Sequence, residues 1–189
     1  MSWTARNGYL NQAEMEGNAR EIIAYARQEH WSKTALAAIL GNLQAESGIN
    51  PGIWENLTPY QGGYGLTQWT PYTKLQLWAD AEGLTWIDDG DTQLQRISYE
   101  AQNNLQWFYN SEIGMAPPIS FEDFLHDDNY TLQNMTNFWL WFYEHPADPG
   151  PTTQATRFAY AEDWYDFIGN YGTIPIWLMF KMRQMKGGH

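Results

Sequence analysis

Cysteine is absent from the 189 residues. A disulfide framework, a thiol nucleophile and a thiolate metal site are therefore excluded. Cations are scarce: 10 Lys and Arg stand against 22 Asp and Glu, a formal net charge of −12. That balance argues against nucleic acid as a partner, because its binding relies on neutralising phosphates. It argues equally against an anionic membrane surface. No run approaches the roughly 20 apolar residues of a membrane span; the longest, Ile174 to Phe180, is interrupted by Pro175. The opening, Met1 to Gly8, lacks the apolar core of a signal peptide. The expectation is a chain made in the cytoplasm and soluble there, without an integral membrane segment. The four His (His30, His126, His145, His189) are scattered, so neither a metal nor another cofactor is expected. Asp88-Asp89-Gly90-Asp91 lacks the length and the closing Glu of a calcium loop.

What is abundant is apolar and aromatic. Hydrophobic residues make up 43% and charged ones only 17%, which excludes a disordered chain. Eleven Trp and 12 Tyr exceed what a core of this size needs, so some are expected to line a groove. Most of the chain reads as helix. Asn18 to Gln28 carries Ile22, Ile23 and Ala26 on one side, and Ser32 is placed to cap a second helix running to about Glu46. Leu36, Ile39, Leu40 and Leu43 sit there at the spacing of a buried stripe. Residues 49–70 carry Pro and Gly and no helical period, predicting loops and a small β-hairpin. Thr70-Pro71 predicts a helix start ending at Gly83, and Asp91 a longer helix with Leu94, Ile97, Ala101, Leu105 and Phe108 along one side. Ser120 heads a short helix, Leu132 to Glu144 forms another closed by Pro146, and a last one includes Phe158, Ala161, Tyr165 and Ile168. From Gly172 to His189 an apolar patch, Ile176 to Phe180, is paired with Lys181, Arg183 and Lys186. That tail reads as a docking or membrane-surface helix, or as a strand or linker whose partner is elsewhere.

Glu46 stands out on physical grounds. It follows Leu43 by three and Ile39 by seven, so it projects from the same apolar face. It also ends its helix, where the macrodipole is negative. Desolvation and the dipole together favour a retained proton, which is what a general acid needs. Spacing alone, however, favours a plainer reading, in which Glu46 simply swings into solvent at a helix end.

The run Gly41-Asn42-Leu43-Gln44-Ala45-Glu46-Ser47-Gly48-Ile49-Asn50-Pro51, followed by Tyr64-Gly65-Leu66-Thr67-Gln68-Trp69, resembles the lysozyme and lytic-transglycosylase superfamily. More narrowly, the chain resembles the phage tail-tip lysozymes, including tail-knob proteins of small podoviruses that infect Gram-positive bacteria. The likeness extends through Asn50-Pro51-Gly52-Ile53-Trp54, Gln68-Trp69-Thr70-Pro71, Leu94-Gln95-Arg96-Ile97, Tyr143-Glu144-His145-Pro146 and Ala161-Glu162-Asp163-Trp164-Tyr165.

The resemblance implies a mainly α, lysozyme-like α+β fold over residues 1–171, with a small hairpin beside a glycan groove and a separate tail at 172–189. It implies cleavage of the β-1,4 bond between N-acetylmuramic acid and N-acetylglucosamine in peptidoglycan, with Glu46 protonating the leaving oxygen. Gly65, Leu66 and Gln68 would shape the hairpin wall, and Tyr64, Trp69 and Trp54 would be sugar platforms. The implied partners are peptidoglycan glycan strands and other phage tail proteins. The implied location is the virion tail tip, after synthesis in the host cytoplasm. A second carboxylate is less evident. Glu55, nine residues on, is either that group or an exposed loop acid; Glu144 either lines the groove or holds an ion pair with Arg157. Without a second acid, a transglycosylase route using Glu46 alone remains open, as does a wall-binding or structural tail component without catalysis.

Overall fold

Helix α2 (Lys33–Ser47) is the axis around which the other elements are arranged. The computed structural model describes residues 3–58 and 60–172; the predicted tail lies, from 173 on, outside the described residues. Ser32 caps α2 as expected, its side chain accepting from the Ala35 N–H at 3.0 Å, and Gly48 ends it in the left-handed conformation (φ 60°). Every residue from Ala35 to Leu43 is buried. The helix is therefore enclosed on all sides rather than amphipathic, and its Ala and Gly positions let neighbours approach closely.

The closest approach is by α7 (Pro151–Gly172), whose packing on α2 is the most extensive between any two helices. A Cβ on Gly41 would lie 2.7 Å from the Ala161 nitrogen and 2.8 Å from the Arg157 carbonyl oxygen. Glycine is required at this crossing. The buried stripe of α7 is Arg157, Ala161, Trp164 and Ile168, at i, i+4, i+7 and i+11. Phe158 and Tyr165, expected on that stripe, stand half-buried beside it.

Helix α1 (Gln12–Gln28) starts earlier than the apolar pattern predicts, because Asn11 and Glu14 form a reciprocal capping box. Arg6 grips Glu14 with both guanidinium nitrogens, at 2.8 and 2.6 Å, and these bonds hold the Glu14 carboxyl down at about 2. Buried Asn18 donates to the Thr4 and Ile49 carbonyls, tying the first residues to the end of α2. The predicted hairpin is present: β1 (Trp54–Asn56) pairs antiparallel with β2 (Gln61–Tyr64), Trp54 opposite Tyr64.

Helix α3 (Thr73–Ala81) begins beyond Thr70, which does not cap it; the Thr70 hydroxyl donates instead to the Gln68 carbonyl. Helix α4 (Gly90–Gln102), capped by Asp89, stops well short of Phe108. Asn104 turns left-handed (φ 51°) while the Leu105 N–H reaches the Glu100 carbonyl at 2.8 Å and the Asn104 N–H the Ala101 carbonyl at 3.2 Å. Two bonds in that pattern close the helix as a Schellman motif. Leu105 and Phe108 consequently lie exposed instead of continuing the buried face.

Helices α5 (Phe121–His126) and α6 (Leu132–Phe138) follow. The single helix expected over 132–144 changes character at Trp139, where α6 runs on as a π-helical segment, Trp139–Glu144. Its wider turn brings residues five apart onto one side. An aromatic cluster gathers here, of Trp107, Phe121, Phe124, Trp139, Phe142 and Tyr143. Of the ten described Trp, five (Trp31, Trp69, Trp107, Trp139, Trp164) are buried, and two, Trp54 and Trp69, border the groove. The abundance of indoles thus reflects the core more than a groove.

Candidate active site

The end of α2, the hairpin and the π-helical segment enclose a groove of about 590 Å³. Glu46 opens into it from the last turn of α2, with 24% of its side chain exposed. Its partner is Arg157, whose Nη2 donates to Glu46 Oε1. The Arg157 side chain is itself buried, and its Nη1 donates to the Asn42 carbonyl at 3.0 Å. The same Nη1 stands 3.1 Å from Oε2 of Glu144, off the line of a hydrogen bond. One guanidinium therefore faces two carboxyl groups.

Glu144 sits behind Glu46, only 4% exposed. The π turn explains its position. Trp139 and Glu144 are five residues apart, and the Trp139 indole N–H donates to Glu144 Oε1 at 2.9 Å. Burial pushes the Glu144 carboxyl well above the ordinary carboxylate range; the neighbouring Glu46 adds to the rise and Arg157 opposes it. The two roles considered for Glu144 therefore coincide: it borders the groove and pairs with Arg157. Desolvation and the helix end were the only influences that spacing foretold for Glu46; the bound guanidinium is a contact outside that reading.

A second buried carboxylate braces the floor. Glu100 accepts from the Trp69 indole at 3.1 Å, from Arg96 Nε at 2.8 Å and from the Tyr143 hydroxyl at 2.6 Å. Burial, then the adjoining Glu100, pushes the Tyr143 phenol well up, so Tyr143 remains a donor. Trp69 and Tyr143 both border the groove and are held from behind by this acid.

The hairpin wall is built locally. The Ser47 hydroxyl donates to the Leu66 carbonyl at 2.9 Å, joining the end of α2 to the wall. Gly65 has φ 78°, and a Cβ there would lie 2.6 Å from Gln93 Oε1, which accepts from the Leu66 N–H at 2.8 Å. Gly65 and Leu66 support the wall from within the core and do not line the groove. Gln68 does line it, its Nε2 donating to the Gly65 carbonyl at 2.8 Å while its buried Oε1 is without a partner.

The three aromatic candidates differ. Tyr64 is 6% exposed, packs 4.8 Å from Trp54 and does not line the groove; burial pushes its phenol up to about 12. Trp69 borders the groove but is only 3% exposed. Trp54 is the half-buried one, flanked by Tyr72 at 5.0 Å and Tyr60 at 6.4 Å. Glu55 lines the groove from β1, exposed, with its Oε2 accepting from the Gly63 N–H at 2.9 Å. Tyr9, Lys74 and Gln106 also line the groove and were not singled out by sequence. Among the described residues no group of three His, Asp or Glu converges to hold a metal ion.

The contact that sequence reasoning missed is Arg157 to Glu46. Its signal was available: Arg157 falls on the buried stripe of α7, and an arginine there needs a buried acid to face.

The chain is 38% identical over 176 residues, 92% of its length, to "Morphogenesis protein 1" of Bacillus phage B103, and it spans only 45% of that relative. The family model described as "Phage tail lysozyme" matches residues 17–168, which include Glu46, the hairpin, Glu144 and Arg157. The chain belongs to the phage tail lysozyme family.

Proposed function

We propose that this chain is a virion-borne lysozyme, acting at the tail tip on the host cell wall after synthesis in the host cytoplasm and assembled with other tail proteins. It cleaves the β-1,4 bond between N-acetylmuramic acid and N-acetylglucosamine in peptidoglycan. Glu46 protonates the bridging oxygen, and Trp54 receives a sugar ring. The observation that carries this reading is Glu46 itself, a carboxyl at a helix end that opens into a groove walled by Trp54, Gln68 and Glu55. A groove of about 590 Å³ has room for sugar rings and the aromatic face to orient them.

The second carboxylate decides the route. Glu55 is the acid of the hairpin side; Glu144 is too deeply buried to meet the far face of a sugar. Glu55 is also engaged with the Gly63 N–H, and that contact favours, as a second reading, a transglycosylase in which Glu46 works alone and the sugar closes an anhydro ring. Mass spectrometry of digested peptidoglycan separates them. Reducing-end muramic acid is the expected product; a 1,6-anhydro end establishes the second reading, a reducing glucosamine end means a different bond, and no product from intact walls overturns both.

Trp54→Ala is expected to raise KM on soluble glycan oligomers by about 10-fold, equivalent to about 1.4 kcal/mol of binding, with kcat changing less than about threefold. Such a split marks loss of uniform binding. An unchanged KM would remove Trp54 from the sugar contacts.

A further inference from the structure

We propose that Glu46 and Glu144 act as one coupled pair across Arg157, sharing a single proton for which Glu144 is the buried store and Glu46 the face presented to substrate. This inference rests on the reading of Glu46 as the acid, and it assigns Glu144 as a positioning residue that acts through Glu46.

The geometry is that of two acids and one base. Arg157 Nη2 bonds Glu46, and Nη1 lies 3.1 Å from Glu144. With both carboxyls ionised, this half-dry cluster carries one uncompensated negative charge. With one proton added it is neutral, the state a low-dielectric site favours. Glu144 suits storage. It is 4% exposed, its Oε1 takes the Trp139 indole N–H, and its buried Oε2 has no hydrogen-bond partner. Both border the groove, and Glu46, at 24% against 4%, is the member more open to it. Burial also pushes Glu144 strongly toward its protonated form.

Other charges do not supply the missing counter-ion. Behind the pair, Tyr143 is a donor already bonded to Glu100, and Arg96 is paired with that same Glu100. Burial pushes the His145 imidazole down, so it is neutral at pH 7. Within the groove, Lys74 of α3 and Glu55 of β1 are opposite in sign.

In the reaction the proton passes from Glu144 to Glu46 and on to the bridging oxygen, which takes the electron pair of the breaking C1–O bond. Both carboxyls are then ionised around Arg157. The oxygen that bonds to C1, from water or from the sugar's own 6-hydroxyl, releases its proton back to the pair. Such groups titrate as a pair and not singly.

The test is a carboxyl 13C titration of the full chain, selectively labelled at Glu, in wild type and Glu46→Gln. Glu46→Gln removes the adjacent negative charge and leaves Arg157 to Glu144 alone. The Glu144 midpoint is therefore expected to fall by about one pH unit or more. Glu144→Gln is expected to move the alkaline limb of the cleavage profile down by about one unit, a readout that a merely structural role would not shift. A Glu144 midpoint that stays within about 0.2 unit in Glu46→Gln overturns the pair, and this measurement needs neither activity nor a folded Glu144 variant. A coupled midpoint in a chain that cuts no peptidoglycan supports the pair while rejecting the enzymatic reading.

Discussion

Glu46→Gln is expected to lower peptidoglycan cleavage by about 10³-fold or more, the scale of losing a positioned acid. The fold should survive, because the amide oxygen still accepts from Arg157 Nη2 and the side chain ends a helix whose core lies at Leu43 and earlier. Glu46 is also partly exposed, so no cavity opens on substitution. Clearing of purified walls and thermal unfolding, followed on the same preparation, check both halves. A variant with a wild-type melting temperature and more than about a tenth of wild-type activity would end the acid assignment. Loss of activity together with loss of the fold would point to a structural role for the Glu46–Arg157 contact.

Gly41→Leu is expected to cost about 3 kcal/mol or more, since overpacking a tight core is punished at that scale. For a chain of this size the melting temperature should fall by roughly 6–12 °C. No rotamer helps, because the clash begins at Cβ, 2.7 Å from the Ala161 nitrogen and 2.8 Å from the Arg157 carbonyl. To relieve it, α7 must move away from α2 and carry Arg157 with it. Glu46 and Glu144 then lose their shared cation, and cleavage falls although Gly41 does not border the groove. Calorimetry and wall clearing should decline together. A Gly41→Leu protein that melts like wild type would contradict the close crossing of α2 and α7.

The parts legible in the sequence were those governed by local rules. Ser32 and the Leu36–Leu43 spacing gave α2 its start and burial, and the Gly-rich stretch after Pro51 forms the predicted hairpin. Where neighbouring rules compete, periodicity misled. Leu105 and Phe108 continue the apolar spacing of α4, yet left-handed Asn104 ends the helix before them. The Leu132–Glu144 stretch reads as one α-helix because periodicity cannot register the widened turn from Trp139 onward. At the site, Glu46 could be singled out from its place on a helix face. Its neighbours could not, since Arg157 is 111 positions away and reaches it through the crossing of α2 and α7 at Gly41, while Glu144 is placed by the π turn from Trp139. Trp69 is of the residue type that contacts sugars, but it is buried and its indole is tied to Glu100, which lies 31 positions away.

The guanidinium that faces the two acids comes from α7, the last described helix, whereas Glu46 and the hairpin are complete by Tyr64. A ribosome therefore delivers one wall of the cleft long before the guanidinium that its carboxyls face. A polypeptide that stops between Glu46 and Arg157 would carry the carboxyl of the groove without the guanidinium that bonds it.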